Sequence, residues 1–115
     1  MALPARLGIR QPKLLAVIRR MEESTDEPVS RAKLAAAVGL SSRQLERLFR
    51  RYLDRTPTRY YLELRLARAR LLLLQTDLSV LEVALACGFV SASHFAKCYR
   101  EVYGRTPRDQ RLADD

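Results

Sequence analysis

Outside its basic residues, this sequence offers few side chains with chemistry: two cysteines, Cys87 and Cys98, and one histidine, His94. A zinc site would need further ligands near the cysteines. A Cys–His nucleophile pair would need a third, orienting group and a nucleophile elbow, and neither is present. The spacing gives a plainer reading. Phe95, Cys98, Tyr99 and Val102 recur at i, i+3, i+4 and i+7, which puts Cys98 on the buried stripe of a helix, where free cysteine packs like a small hydrophobe. No catalytic residue, metal or cofactor is expected. The basic residues are the other resource: 21 Lys plus Arg against 13 Asp plus Glu, a formal net charge of +8 over 115 residues. Such a surface points first to nucleic acid, then to anionic membrane or an acidic protein. Arg43 and Arg47 stand one helical turn apart, and either could fork onto guanine O6/N7 or onto phosphate.

Positioning these groups falls to helices. Hydrophobic residues make up 48% of the chain, enough for a real core. Even counting a glycine as apolar, the longest apolar run is Val83 to Val90, far short of the roughly 20 residues a membrane helix needs. The first residues lack a signal-peptide stretch, so a cytoplasmic protein is expected. A first helix is predicted over about Gln11 to Glu23, with Leu14, Leu15, Ile18 and Met21 facing in, and a loop over Glu22 to Pro28. A short helix follows Ser30 and stops at Gly39. Ser41 with Gln44 makes a capping box for the next, whose inward stripe is Leu45, Leu48, Phe49 and Tyr52. Thr56-Pro57 starts the longest helix, to about Gln75, apolar on several sides and so expected to be packed on several sides. Ser79 with Glu82 is a second capping box, leading through Leu81, Val83, Ala84 and Leu85 to Gly88. Ser91 caps a helix to about Tyr103, and Thr106-Pro107 starts a last short one. No segment alternates with period 2, so the class is all-α.

The sequence also repeats itself. Ser30, Ala35, Ala37 and Gly39 lie over Ser79, Ala84, Ala86 and Gly88. After one inserted residue, Leu45-Glu-Arg-Leu-Phe-Arg50 lies over Phe95-Ala-Lys-Cys-Tyr-Arg100, and Arg55-Thr-Pro57 over Arg105-Thr-Pro107. Each copy is a short helix, a glycine-ended turn and a second helix with basic residues outside, the helix-turn-helix layout. Ala35 and Ala84 allow close crossing, Gly39 and Gly88 take the left-handed turn position, and Leu40 and Phe89 lock the pair. One such match would be weak; two in register are not.

Those residues, with Leu66-Ala-Arg-Ala-Arg-Leu-Leu72, Ser93-His-Phe-Ala-Lys97 and Gly104-Arg-Thr-Pro107, carry a resemblance to the DNA-binding domain of the AraC/XylS family of bacterial transcription regulators. It covers about Gln11 to Arg111. The resemblance implies seven helices, two helix-turn-helix subdomains joined by a linker helix, and two recognition helices in successive major grooves on one face of double-stranded DNA. It also implies activation at a promoter through RNA polymerase, and that Arg43 and Arg47 read bases. The expected divisions are an extension over 1–10, a first subdomain over 11–55, the linker over 56–76, a second subdomain over 77–112 and a tail over 113–115. A linker of roughly 28 Å can bridge grooves about 34 Å apart once the docked units add their offset.

Base contacts are expected from Ser42, Arg43, Glu46 and Arg47 in the first recognition helix and from Ala92, Ser93, His94 and Lys97 in the second. Glu46 could accept from cytosine N4 or pair with Arg50 at i+4, and that spacing favours the pair. Ala92 could touch a thymine methyl. The small residues of the second helix suggest that it reads sequence weakly and mainly holds backbone. Phosphate contacts are expected among Ser41, Arg50, Arg55, Arg59, Ser91, Arg100 and Arg105, although an arginine near a helix end could instead cap carbonyls. Arg65, Arg68 and Arg70 are expected to pair in part with Glu63 or Glu82. Sensing and dimerisation in the family usually belong to a separate N-terminal domain, so this chain is expected to be a monomeric C-terminal fragment. The alternative is a basic helical module for a protein partner or a membrane, disfavoured because the apolar stripes are expected in the core.

Overall fold

Every helix begins where a side chain can take up its orphaned N–H groups. In the computed structural model, which describes residues 8–113, seven helices follow in order: α1 Pro12–Glu23, α2 Arg31–Ala37, α3 Ser42–Leu53, α4 Pro57–Gln75, α5 Val80–Ala86, α6 Ala92–Tyr103 and α7 Pro107–Ala113. The expected extension and tail fall largely outside the described residues. Gln11, Ser30, Ser41, Ser79 and Ser91 cap their helices, and both capping boxes form. Thr56 and Thr106 accept the N–H of Arg59 and Asp109, each at 3.1 Å, ahead of a proline at the first helical position. Gly39 and Gly88 sit at φ +71° and +81°, where a Cβ would cost about 1–2 kcal/mol. Asp54 takes the same left-handed geometry at the end of α3, at φ 53°, where the other copy has Gly104.

The chain divides into two units. The first holds α1, α2, α3 and the start of α4 as far as Tyr61; the second holds α4 from Leu62 with α5, α6 and α7. In the first unit α1 packs on α2 and α3, and α2 on α3. Leu14, Ile18, Met21, Leu34, Leu45 and Phe49 are fully buried there, together with Val17, which the sequence stripe omitted. In the second unit α5 packs on α6 and α6 on α7. Its core joins Leu66, Ala69 and Leu73 of α4 to Val83, Ala84, Cys87, Phe89, Phe95, Cys98 and Tyr99.

The repeat runs deeper than the aligned letters. Phe49 meets Tyr60 edge-on at 5.6 Å, and at the same two positions in the second unit the Tyr99 hydroxyl donates to Gln110 Oε1 at 3.0 Å. Tyr61 ties down the end of α1: its hydroxyl donates to the Ser24 carbonyl and accepts the Val29 N–H. Arg111, the equivalent of Tyr61, ties down the end of α4 by donating to the carbonyls of Leu73 and Thr76 at 3.0 and 3.3 Å. Each unit thus runs from an opening helix through a helical pair to a closing helix that grips the C-terminus of the opening one, α1 to α4 in the first and α4 to α7 in the second.

Several expectations are corrected. Tyr52 is exposed rather than inward, lying near the end of α3 with the Arg51 guanidinium 5.5 Å from its ring centre. Leu71 and Leu74 of α4 stay exposed, so that helix is buried on fewer sides than its apolar residues suggest: at Tyr61 in the first unit and along Leu66, Ala69 and Leu73 in the second. Leu81 and Leu85 on α5 are also half exposed, because Val83 and Ala84 take the inward positions. The apolar stripes are therefore not all claimed by the core. The helix α1 ends at Glu23, as expected for it, so the loop begins at Ser24 and not at Glu22, and Ser24 and Thr25 within it are buried.

Candidate nucleic-acid interface

In the first unit, burial of Leu45 and Phe49 turns the opposite face of α3 outward. Arg43, Arg47 and Arg50 are exposed on it, with Ser42 and Glu46 partly covered. A shallow open depression there is lined by Arg43, Glu46, Arg47, Arg50, Arg51 and Thr56. Glu46 is ion-paired, but with Arg31 of α2 and not with Arg50. The expected intrahelical pair loses because α2 crosses α3 closely enough for Arg31 to reach the carboxylate. The pair neutralises the only acidic group in the depression and leaves the arginines of α3 to the solvent. Arg51 was missed by sequence reading, although its i+4 spacing from Arg47 was there to see.

The second unit repeats the depression with weaker charge. Ala96, Lys97, Arg100, Glu101 and Thr106 line it, so two basic groups face one acidic group where the first unit has four arginines and one glutamate. Ala92 is partly covered; Ser93, His94 and Lys97 are exposed. The His94 ring leans onto its own helix, with Nε2 3.7 Å from Cys98 Sγ and its centroid 5.9 Å from that of Phe89.

Among the expected phosphate contacts, Ser41 and Ser91 use their hydroxyl oxygens as N-cap acceptors, for Gln44 and His94, and keep an O–H to donate. Arg50, Arg100 and Arg105 are exposed. Arg55 is exposed but donates from Nε to the Leu53 carbonyl at 3.1 Å, capping the end of α3. Arg59 is exposed on the first turn of α4.

Two of the linker arginines, Arg65 and Arg70, lie against the second unit. Arg65 donates from Nε to the Cys87 carbonyl and from Nη2 to the Gly88 carbonyl, both at 2.8 Å, with its guanidinium carbon 4.2 Å from the Phe89 ring centre. It clamps the turn between α5 and α6, a role no sequence spacing announces. Arg70 lies 6.0 Å from the Tyr103 ring centre. Glu82, the other expected partner, accepts the Ser79 N–H at 3.0 Å in its capping box, which holds its carboxyl below the usual value. Burial pushes the Cys87 thiol up, against the pull of Arg68 and Arg65, so it packs as a neutral group. Among the described residues no cluster of three or more His, Cys, Asp or Glu could hold a metal ion, and no helix is long and apolar enough to cross a membrane.

Comparison with known proteins follows the same lines. A family model described as a helix-turn-helix domain matches residues 34–113. The chain is 56% identical over 105 residues to the HTH-type transcriptional regulator GbdR of Pseudomonas aeruginosa, covering 91% of this chain and 29% of GbdR. It therefore spans about three-tenths of the length of that curated relative. The crystal structure of an AraC-type DNA-binding-domain regulator from Chromobacterium violaceum superposes with TM-score 0.86 at 50% identity, covering 90% of this chain and 93% of that one. The DNA-binding domain of AdpA, solved in complex with a target DNA, superposes with TM-score 0.83 at 32% identity, covering 88% and 91%.

Proposed function

From the premise that this chain belongs to the AraC-type helix-turn-helix family, we propose that it is a sequence-specific double-stranded DNA-binding module of a transcription regulator, an activator working at promoters through RNA polymerase. Its two reading helices, α3 and α6, enter successive major grooves. Arg43 and Arg47 supply hydrogen-bond readout in the first half-site, with Ser42 and Glu46 beside them; Ala92, Ser93, His94 and Lys97 face the second. Ser41, Arg50, Arg55, Arg59, Ser91, Arg100 and Arg105 hold the backbone. The role is binding, with no reaction assigned, and the chain by itself is a monomer.

The observation that carries this reading is the outer face of α3: Arg43 and Arg47, both exposed, one turn apart and on the second helix of a helix-turn-helix. Guanidiniums so placed match the paired acceptors on guanine. Fluorescence anisotropy tests it, comparing a duplex selected by the protein from a randomised pool with its scrambled counterpart at two salt concentrations. The selected duplex is expected to bind at least about a thousandfold tighter, with affinity falling steeply as salt rises. Equal affinity for both duplexes would overturn the proposal.

A further inference from the structure

The two copies differ in length at one place. Leu40 pairs with Phe89 as the turn exit, and Ser41 pairs with Ser91 as the N-cap of the second helix. Val90 is the residue left over. It is 88% exposed, the most exposed large apolar side chain among the described residues. Its neighbours are held fast on both sides. Phe89 is buried and donates its N–H to the Ala84 carbonyl at 2.9 Å, while Arg65 grips the carbonyls of Cys87 and Gly88 just before it. On the other side Ser91 accepts the His94 N–H at 3.1 Å and starts α6. The turn therefore carries an apolar side chain on a fixed backbone with almost nothing of the protein to pack against. A β-branched side chain has few χ1 states, so packing it against a partner orders little that is not already ordered.

A reading helix presents its N-terminal residues to base edges. At that end of α6 the helical side chains are short, Ala92 and Ser93, and cannot reach far. In the major groove the apolar feature that distinguishes one base from the others is the C5-methyl of thymine. We propose that Val90 is a base-specifying residue whose isopropyl group packs on a thymine methyl in the half-site under α6. This inference rests on the DNA-binding function proposed above and deepens it: the reading helix of the second unit, which has no arginine where the first has Arg43 and Arg47, gains sequence readout by apolar contact at its extra turn residue.

The test uses the full chain and the selected duplex, with each thymine replaced singly by deoxyuridine, which removes the methyl group and nothing else. For the unsubstituted protein, one replacement under α6 is expected to weaken binding about three- to fivefold, the worth of one buried methyl-sized group. Val90→Ala is expected to bind the thymine duplex weaker by a similar factor and to be indifferent to that replacement, while Arg43→Ala keeps the sensitivity. Val90 is exposed, so its truncation leaves the core intact; circular dichroism matching the unsubstituted protein checks this. Binding that ignores every methyl, or a methyl sensitivity that survives Val90→Ala and disappears in Ala92→Gly, would overturn the inference while leaving DNA recognition standing. Failure to select any duplex would overturn both.

Discussion

Replacing Arg65 with methionine should loosen the second unit while sparing the first. The methionine keeps most of the apolar stem and removes the guanidinium. Two charge-assisted hydrogen bonds at 2.8 Å to Cys87 and Gly88 are lost, together with the stacking on Phe89. A hydrogen bond to a charged group contributes about 1.5–3 kcal/mol net, and a partly desolvated cation–π contact about 0.5–2 kcal/mol. The contributions share one side chain and do not add, and Arg65 is only half buried, so water can replace part of what is lost. The expected loss is about 2–4 kcal/mol, toward the upper range for a single substitution. Arg65→Lys should recover only part of it, because one ammonium cannot match the planar fork. Urea unfolding followed by circular dichroism measures the size of the effect, and amide exchange locates it, with protection falling in α5 and α6 and holding in α2 and α3. A loss below about 0.5 kcal/mol, the range of ordinary surface substitutions, or an equal loss of protection in both units, would refute the assignment of Arg65 as the turn's clamp.

Other perturbations test other joints. Tyr61→Phe removes the hydroxyl that bridges Ser24 and Val29 and should destabilise by about 1–3 kcal/mol in urea unfolding, since two backbone groups lose their partner. Asp54→Gly should stabilise by up to about 1 kcal/mol in the same assay, because the left-handed site then carries the residue that Gly104 already supplies in the other copy. Glu82 has its carboxyl held below the ordinary value of 4.5, first by the Ser79 N–H and then by the Ser79 hydroxyl, with burial opposing. A depressed folded pKa means that the unfolded chain binds more protons near that value, so the stability Glu82 contributes is full above 4.5 and lost as pH falls below it. The stability gap between the unsubstituted protein and Glu82→Gln, followed by urea midpoints from neutral to acid pH, should close in that window; a gap independent of pH would contradict the capping role.

The helices were legible because their ends are written in local chemistry. Ser41 with Gln44, Ser79 with Glu82, and Thr-Pro at 56–57 and 106–107 act within one turn, and all of them cap as read. The duplication was legible too, because glycine and alanine recur where the turn geometry leaves little choice. What the sequence hid lies across elements. Periodicity marks Leu81, Leu85 and Tyr52 as apolar on a helix but cannot say where the neighbouring helix stops, and all three are exposed. Glu46 had a partner one turn away in Arg50 and found another in Arg31, fifteen residues back, because the crossing of α2 over α3 shortens that distance. Arg65 and Tyr61 act on carbonyls 22 and 37 residues distant, a range over which spacing carries no information. Of the interface, the exposed arginines of α3 were visible as the complement of its buried stripe; the depressions completed by Thr56 and Thr106 needed the following helix in place.

Hydroxyl-radical footprinting on the selected duplex tests the central claim most directly. Two protected windows are expected on one face of the DNA, about 10 base pairs apart. Arg43→Ala with Arg47→Ala should erase protection in one window, and Lys97→Ala with Arg100→Ala should weaken it in the other. Protection spread evenly along the duplex, or one window that responds to both sets of substitutions, would contradict recognition by two reading helices.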